Sequence, residues 1–447
     1  ERGEMLGPVM VWKRSFPPVA PGSLLTSPST RHTPGLLATG DITATVLHLL
    51  GAPYKTSGGR PAVVLETESS PTAAAGVLAS RVERWSAQAR EIRFIVTLPW
   101  LIAAALILAS LSGPGRVRSA IAVGAAAAPL ALLLASLFAS QNTGAEALVY
   151  IAAGFMTLAV SALAVVLSQA RKEEAVASLL RVIVVSTAAV IVFDTLTKGN
   201  LLARSPFSYS PVAAARFYGI GNEISGVFLG ASLLAVGVLC PTPLGAVLGG
   251  AIAALLSGMP MFGADAGGFL AALVGFASLF VLLKAEQSES PNKRRVLLRA
   301  GVGAGAIVLC LVALYVVGSG RGAVGSRTHV GEAVASAQGE KGTKSLLPLI
   351  QRKAATGVRL LFTSPWSILL VTEAGICLWL WRRHSQSANR NRAVYQAAFV
   401  GAGTLLLLND SGVVAAATCL LFPTCVLLIT APPVPTTGDT VVRAPDP

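Results

Sequence analysis

From Arg93 to Thr430 the sequence runs as a series of apolar stretches almost without charge, most of them close to the twenty residues a helix needs to cross a bilayer. In hydrocarbon, backbone N–H and C=O groups find partners only along their own segment, so each stretch must be a helix. The spans read at 94–112, 119–139, 146–168, 180–198, 222–240, 243–260, 266–284, 299–318, 366–382, 393–409 and 412–430. The predicted fold is an all-α polytopic membrane protein with about eleven transmembrane helices and a small α/β N-terminal extramembrane segment. Residues 1–92 differ in kind, with prolines, serines and regular charges. The chain divides into a head (1–66), a linker with an interfacial helix (67–92), a transmembrane domain (93–430) and a disordered tail (431–447).

Only 13% of the 447 residues are charged, against about a quarter in a soluble domain. The net charge of +14 reads first as orientation, because Lys and Arg gather in cytoplasmic loops. Arg116 and Arg118, then Arg171, Lys172 and Arg181, then Lys284, Lys293, Arg294, Arg295 and Arg299, then Arg382, Arg383, Arg390 and Arg392 occupy alternate connections. Opposite them, 140–145, 261–265 and 409–411 carry neither Lys nor Arg; the exceptions are the connection near 199–221, with Arg204 and Arg216, and the long one near 319–365. The expectation is a multi-pass plasma-membrane protein with its head extracytoplasmic and its C-terminus cytoplasmic. Its expected partners are membrane lipids and not nucleic acid. An exported head needs a signal sequence or an earlier span, so a removed signal or a longer chain upstream of Glu1 is expected. The five cysteines all fall in apolar runs without a CxxC pair, which reads as small buried hydrophobes.

Within the head, Gly7–Lys13 alternates as a short strand, and Pro17–Thr30 reads as loop. Asp41 stands at the N-cap position of a helix carrying Ile42, Val46, Leu47 and Leu50, and Gly51 closes it. The run "TPGLLATGDITATVLHLLGAP" followed by "GGRP" resembles the C-terminal end of the alkaline phosphatase and sulfatase superfamily. That resemblance covers about sixty residues and implies an α/β hydrolase domain whose nucleophile and metal ligands lie upstream of Glu1. It also implies a metal-ligand role for His32 in "RHTPG", beside which stands the plainer reading of a solvent-facing loop histidine.

An ionisable side chain deep in a bilayer costs about 2.5–3.5 kcal/mol, so each one is a functional candidate. Asp194, Glu223, Asp265, Glu373 and Asp410 all fall in the outer half of the predicted spans. Of these, Asp194, Glu223, Asp265 and Asp410 are the candidate catalytic carboxylates. Arg216, Asn222 and Asn409, with Arg327 and His329 of the long basic loop 319–365, are the candidate substrate-binding groups. The segment 205–226 is the richest, with Gly219 and Gly221 beside Asn222 and Glu223. Taken singly, "GADAGG" and "NDSG" are tight turns with an Asx residue. Taken together, the carboxylates would line one outward-facing wet pocket. They could act there as a general base or hold a divalent metal ion, and Arg216 could hold a phosphate. Ser345–Phe362 reads as a basic amphipathic helix on the membrane surface.

Three functions compete. The first is the membrane part of an exported phosphatase- or sulfatase-like hydrolase acting on envelope substrates. The second is a transferase or polymerase for lipid-linked phosphate or glycan substrates, because "ARFYGIGNEISGVFLG" is weakly similar to the Arg-Gly-Asn pattern of lipid-linked glycan ligases. The third, a transporter, would place polar groups along both halves of a path, whereas here they crowd one half.

Overall fold

The computed structural model describes residues 23–27, 30, 35–53, 60–65, 70–112, 115–138, 145–170, 173–197, 199–205, 207–208, 219–259, 261–286, 346–383 and 392–430. Two short strands, β1 (Leu24–Thr26) and β2 (Val63–Leu65), flank a helix α1 (Thr39–Leu49). They pair antiparallel with Leu25 opposite Val64. β1 falls inside the stretch 17–30 expected to be loop, and the expected strand at Gly7–Lys13 lies outside the described residues.

Asp41 organises this head. It is the third residue of α1 and not the N-cap, a position held by Ala38. Its buried carboxylate accepts from the backbone N–H of Ala38 at 3.1 Å, from that of Arg60 at 2.9 Å and from the Ser27 hydroxyl at 2.6 Å. The helix start, the approach to β2 and the end of β1 therefore share one acceptor. Gly51, at φ +68°, takes the left-handed conformation that ends α1.

Helix α2 (Pro71–Leu111) starts from the Ser70 hydroxyl, which accepts from Ala73 N–H at 3.2 Å, with Pro71 in the first turn. The expected interfacial helix and first span are thus one continuous rod, and the head packs on it where Gly35 meets the Leu78 side chain. The chain continues through α3 (Arg116–Ala135), α4 (Ala145–Gln169), α5 (Glu173–Leu196) and the short α6 (Asn200–Arg204). Next come α7 (Asn222–Leu239), α8 (Pro243–Gly258) and α9 (Ala266–Glu286). After the undescribed stretch 287–345 follow α10 (Leu346–Thr363), α11 (Trp366–Arg383), α12 (Arg392–Leu408) and α13 (Gly412–Thr430).

The count of about eleven spans is corrected here. Among the described residues six helices are long and apolar enough to cross a membrane, or seven if the bent pair Ala355–Thr363 and Trp366–Leu380 forms one span. Three of the expected spans are shorter apolar helices, Ile95–Leu111, Pro243–Gly258 and Arg392–Leu408. These apolar segments fall below the length of the six spans, near the short end of what crosses a hydrocarbon core of about 30 Å, and Ile95–Leu111 is the C-terminal part of the longer helix α2. The expected span 299–318 lies outside the described residues.

Helix α13 is the centre of the bundle, with 89% of its apolar window buried, whereas the window in α4 is 11% buried and turns its side chains outward. Close approach explains the centre. A Cβ on Gly226 of α7 would run into the Ala415 carbonyl and the Thr418 side chain of α13, and one on Gly230 into the Cys419 carbonyl. Small residues four apart let two backbones meet without the hydrophobic effect that lipid does not supply. Cys377, Cys419 and Cys425 are buried free thiols in this packing and Cys240 is exposed at the end of α7.

Candidate functional site

Three separate turns of the chain meet at one end of the bundle: the start of α7, the turn between α8 and α9, and the turn between α12 and α13. Ile220 N–H donates to the Gly263 carbonyl at 3.1 Å. Gly219, at φ +88°, lies so close to that carbonyl that no side chain would fit. The α8–α9 turn is stitched by Gly263 N–H to Leu256 O at 2.8 Å and Asp265 N–H to Ser257 O at 2.8 Å. Ala264 is held there at φ +51°, a conformation that costs a residue with a Cβ about 1–3 kcal/mol and often marks a functional turn.

That turn delivers Asp265, whose side chain is buried. The Ser225 hydroxyl donates to its Oδ2 at 2.7 Å. The Asn409 amide donates to Oδ2 at 3.1 Å and Oδ1 at 3.4 Å. Asn409 in turn accepts from Ser411 N–H at 3.2 Å, so the Asx turn expected of "NDSG" also fixes the amide that reaches Asp265. Gly267 backs onto Asn409, and a Cβ on Gly268 would lie 2.5 Å from Asp265 Oδ2 and 2.6 Å from Ser225 Oγ. The glycines of "GADAGG" therefore make room for the cluster.

Around this centre, Asn222 and Glu223 occupy the first turn of α7, both half-buried, and Asp410 is exposed beside Asn409. The Asn222 Oδ1 atom is buried and has no hydrogen-bond partner among the described residues. Negative groups at the start of α7 and α9 meet the positive ends of those helices. The site is thus a carboxylate held by two neutral donors with further acidic groups at its rim. It suits a ligand that offers hydroxyl or amine donors.

At Asp265, Ser225 and Asn409 both present hydrogens to the carboxylate. Among the described residues no three His, Cys, Asp or Glu side chains gather as a metal site. His32, Arg216, Arg327 and His329 lie outside the described residues.

Asp194 has another task. It sits at the same end of the bundle, but its carboxylate accepts from Leu201 N–H at 2.8 Å and Leu202 N–H at 2.9 Å. It therefore caps the short helix α6, a use of both oxygens that the sequence hid because the capped turn lies beyond Lys198. Glu373 is fully buried in α11, and among the described residues neither of its oxygens has a hydrogen-bond partner, in the Asp265 cluster or elsewhere. Ser225, Gly267 and Gly268 were not singled out from sequence. The available signal was a lone hydroxyl one turn after Asn222, facing an Asp-containing glycine turn.

A bundle of apolar helices with one polar centre at its end defines a multi-pass α-helical membrane protein. Comparison with protein-family models, with curated proteins and with solved structures returned no match.

Proposed function

We propose that the chain is the membrane part of an exported hydrolase of the alkaline-phosphatase type, acting on phosphate- or sulfate-containing envelope substrates. In this reading the Asp265 site holds the hydroxyl-bearing part of the substrate. The single observation that carries it is the convergence of Ser225, Asp265 and Asn409 from three turns of the chain. A buried carboxylate with fixed donors is pre-organised to accept a hydrogen bond or a proton from a bound hydroxyl. The head supports the hydrolase class through its "TGDITATVLHLLGAP" run.

Orientation belongs to the same reading. Arg116, Lys284, Arg382 and Arg392 mark helix ends opposite the Asp265 end, with Arg181 two turns into α5. The bias of basic residues toward the cytoplasm supports an outward-facing Asp265 site, Arg204 at the end of α6 being the exception. The test is release of phosphate or sulfate from isolated envelope material by the full-length protein in membranes. D265N is expected to lower the rate at least about a hundredfold, the weight of a positioned general base. Unchanged release by D265N would remove the reading.

A second reading, a transferase for lipid-linked glycans, is favoured by α10. This basic amphipathic helix meets α11 at 84° across Ser364 and Pro365, and α11 begins at the Asp265 end. A helix lying at the interface there would suit a substrate whose lipid stays in the membrane. Transfer of a glycan to an acceptor hydroxyl without phosphate or sulfate release would select this reading over the first.

A further inference from the structure

The bundle holds a concavity at the end opposite Asp265. It is a groove of about 330 Å³ between α5, α7, α12 and α13, lined by Leu180, Val184, Val238, Val394, Ile429 and, at its rim, Arg181. The four helices splay here because α5 starts, α7 ends, α12 starts and α13 ends at this level. Val238 and Arg181 are exposed. The lining carries no carboxylate. The acid on the same face of α5 is Glu174, two turns before Arg181. Arg181 itself makes no hydrogen bond or ion pair among the described residues.

An apolar slot within the membrane domain is filled by hydrocarbon, since leaving it empty forfeits dispersion contacts along every wall. A guanidinium at its mouth adds a requirement that a plain acyl chain does not meet. Its planar fork matches two oxygens of a phosphate, and such a charge-assisted pair is strongest where water is scarce. We propose that this groove is a binding site for one anionic phospholipid, with an acyl chain along Leu180, Val184, Val238 and Val394 and the headgroup phosphate on Arg181. Basic pockets between helices at the end of a bundle bind anionic headgroups in this way. The site is independent of the Asp265 reading and of the reaction that end carries out.

The test uses the purified, delipidated full-length protein in detergent. Retention of phosphatidylglycerol and of phosphatidylcholine with the same acyl chains is compared by native mass spectrometry. The wild type is expected to retain phosphatidylglycerol about fivefold better, the weight of one Arg at a membrane surface. R181Q is expected to bring the ratio to about one. V238W, which fills the slot, is expected to reduce retention of both lipids. R181K keeps the charge without the fork and is expected to show an intermediate ratio. Equal retention of the two lipids by the wild type, or an R181Q ratio matching the wild type, overturns the proposal.

Discussion

Asn409, at the end of α12, donates its side-chain amide to the carboxylate of Asp265, 144 positions earlier in the chain, at the head of α9. The contact is buried and locks two turns that are otherwise joined only through the bundle. Removing the amide leaves the buried carboxylate short of a donor. N409A is expected to destabilise the protein by about 1.5–3 kcal/mol, the usual weight of a hydrogen bond to a charged group. S225A should cost a similar amount, because the Ser225 hydroxyl donates to the same carboxylate at 2.7 Å. Thermal unfolding of the purified protein checks both, and the S225A/N409A pair should be non-additive because both donors serve one acceptor.

Glycine positions separate packing from propensity. G226A places a methyl on the Ala415 carbonyl and is expected to cost about 1–3 kcal/mol through overpacking. Gly403 has no neighbour within 4 Å of the position a Cβ would take, so G403A should be neutral or stabilise by up to about 1 kcal/mol through helix propensity. Thermal stability in detergent decides. Equal effects of the two substitutions would contradict the close α7–α13 approach.

Asp194 is assigned a structural task, so D194A should lower stability by about 1 kcal/mol through loss of the α6 cap while the substrate turnover per folded molecule stays unchanged. Loss of turnover at full stability would return Asp194 to the active centre.

In the head, D41A leaves Ser27, Ala38 and Arg60 without their shared acceptor. A loss of about 1–3 kcal/mol is expected for such unsatisfied groups, enough to open this small unit. Limited proteolysis should then cut between β1 and β2 at protease concentrations that leave the wild type intact.

How far the sequence carried the account depends on the range of each interaction. The helices were legible because lipid solvation acts residue by residue, and a stretch without charge declares itself. Their number as spans was not, because the apolar segments Ile95–Leu111, Pro243–Gly258 and Arg392–Leu408 differ from the spans by only a few residues. Asp265 and Asn409 stood out as polar residues in apolar surroundings, but their meeting depends on the packing of α9 against α12, which no local pattern encodes. The capping role of Asp194 was hidden for the converse reason. Its partners are backbone amides seven and eight residues downstream, and backbone donors have no signature in the sequence. Asp41 was placed at the right helix end but two turns of reasoning too simply, since its carboxylate serves β1 and β2 as well as α1.

The proposed site requires the α7, α8–α9 and α12–α13 turns to share one end of the bundle, and that end to face the outside of the cell. Exposed Met261 and Asp410 mark that end, and the exposed native thiol Cys240 marks the other. The most direct measurement treats intact cells with a membrane-impermeant maleimide, using M261C and D410C in a C240S/C310S background beside the C310S protein. Both introduced cysteines are expected to react in intact cells, and Cys240 only after permeabilisation. Reaction of M261C and D410C from opposite sides of the membrane would contradict the shared end. Reaction of Cys240 in intact cells, with both introduced cysteines protected, would reverse its direction.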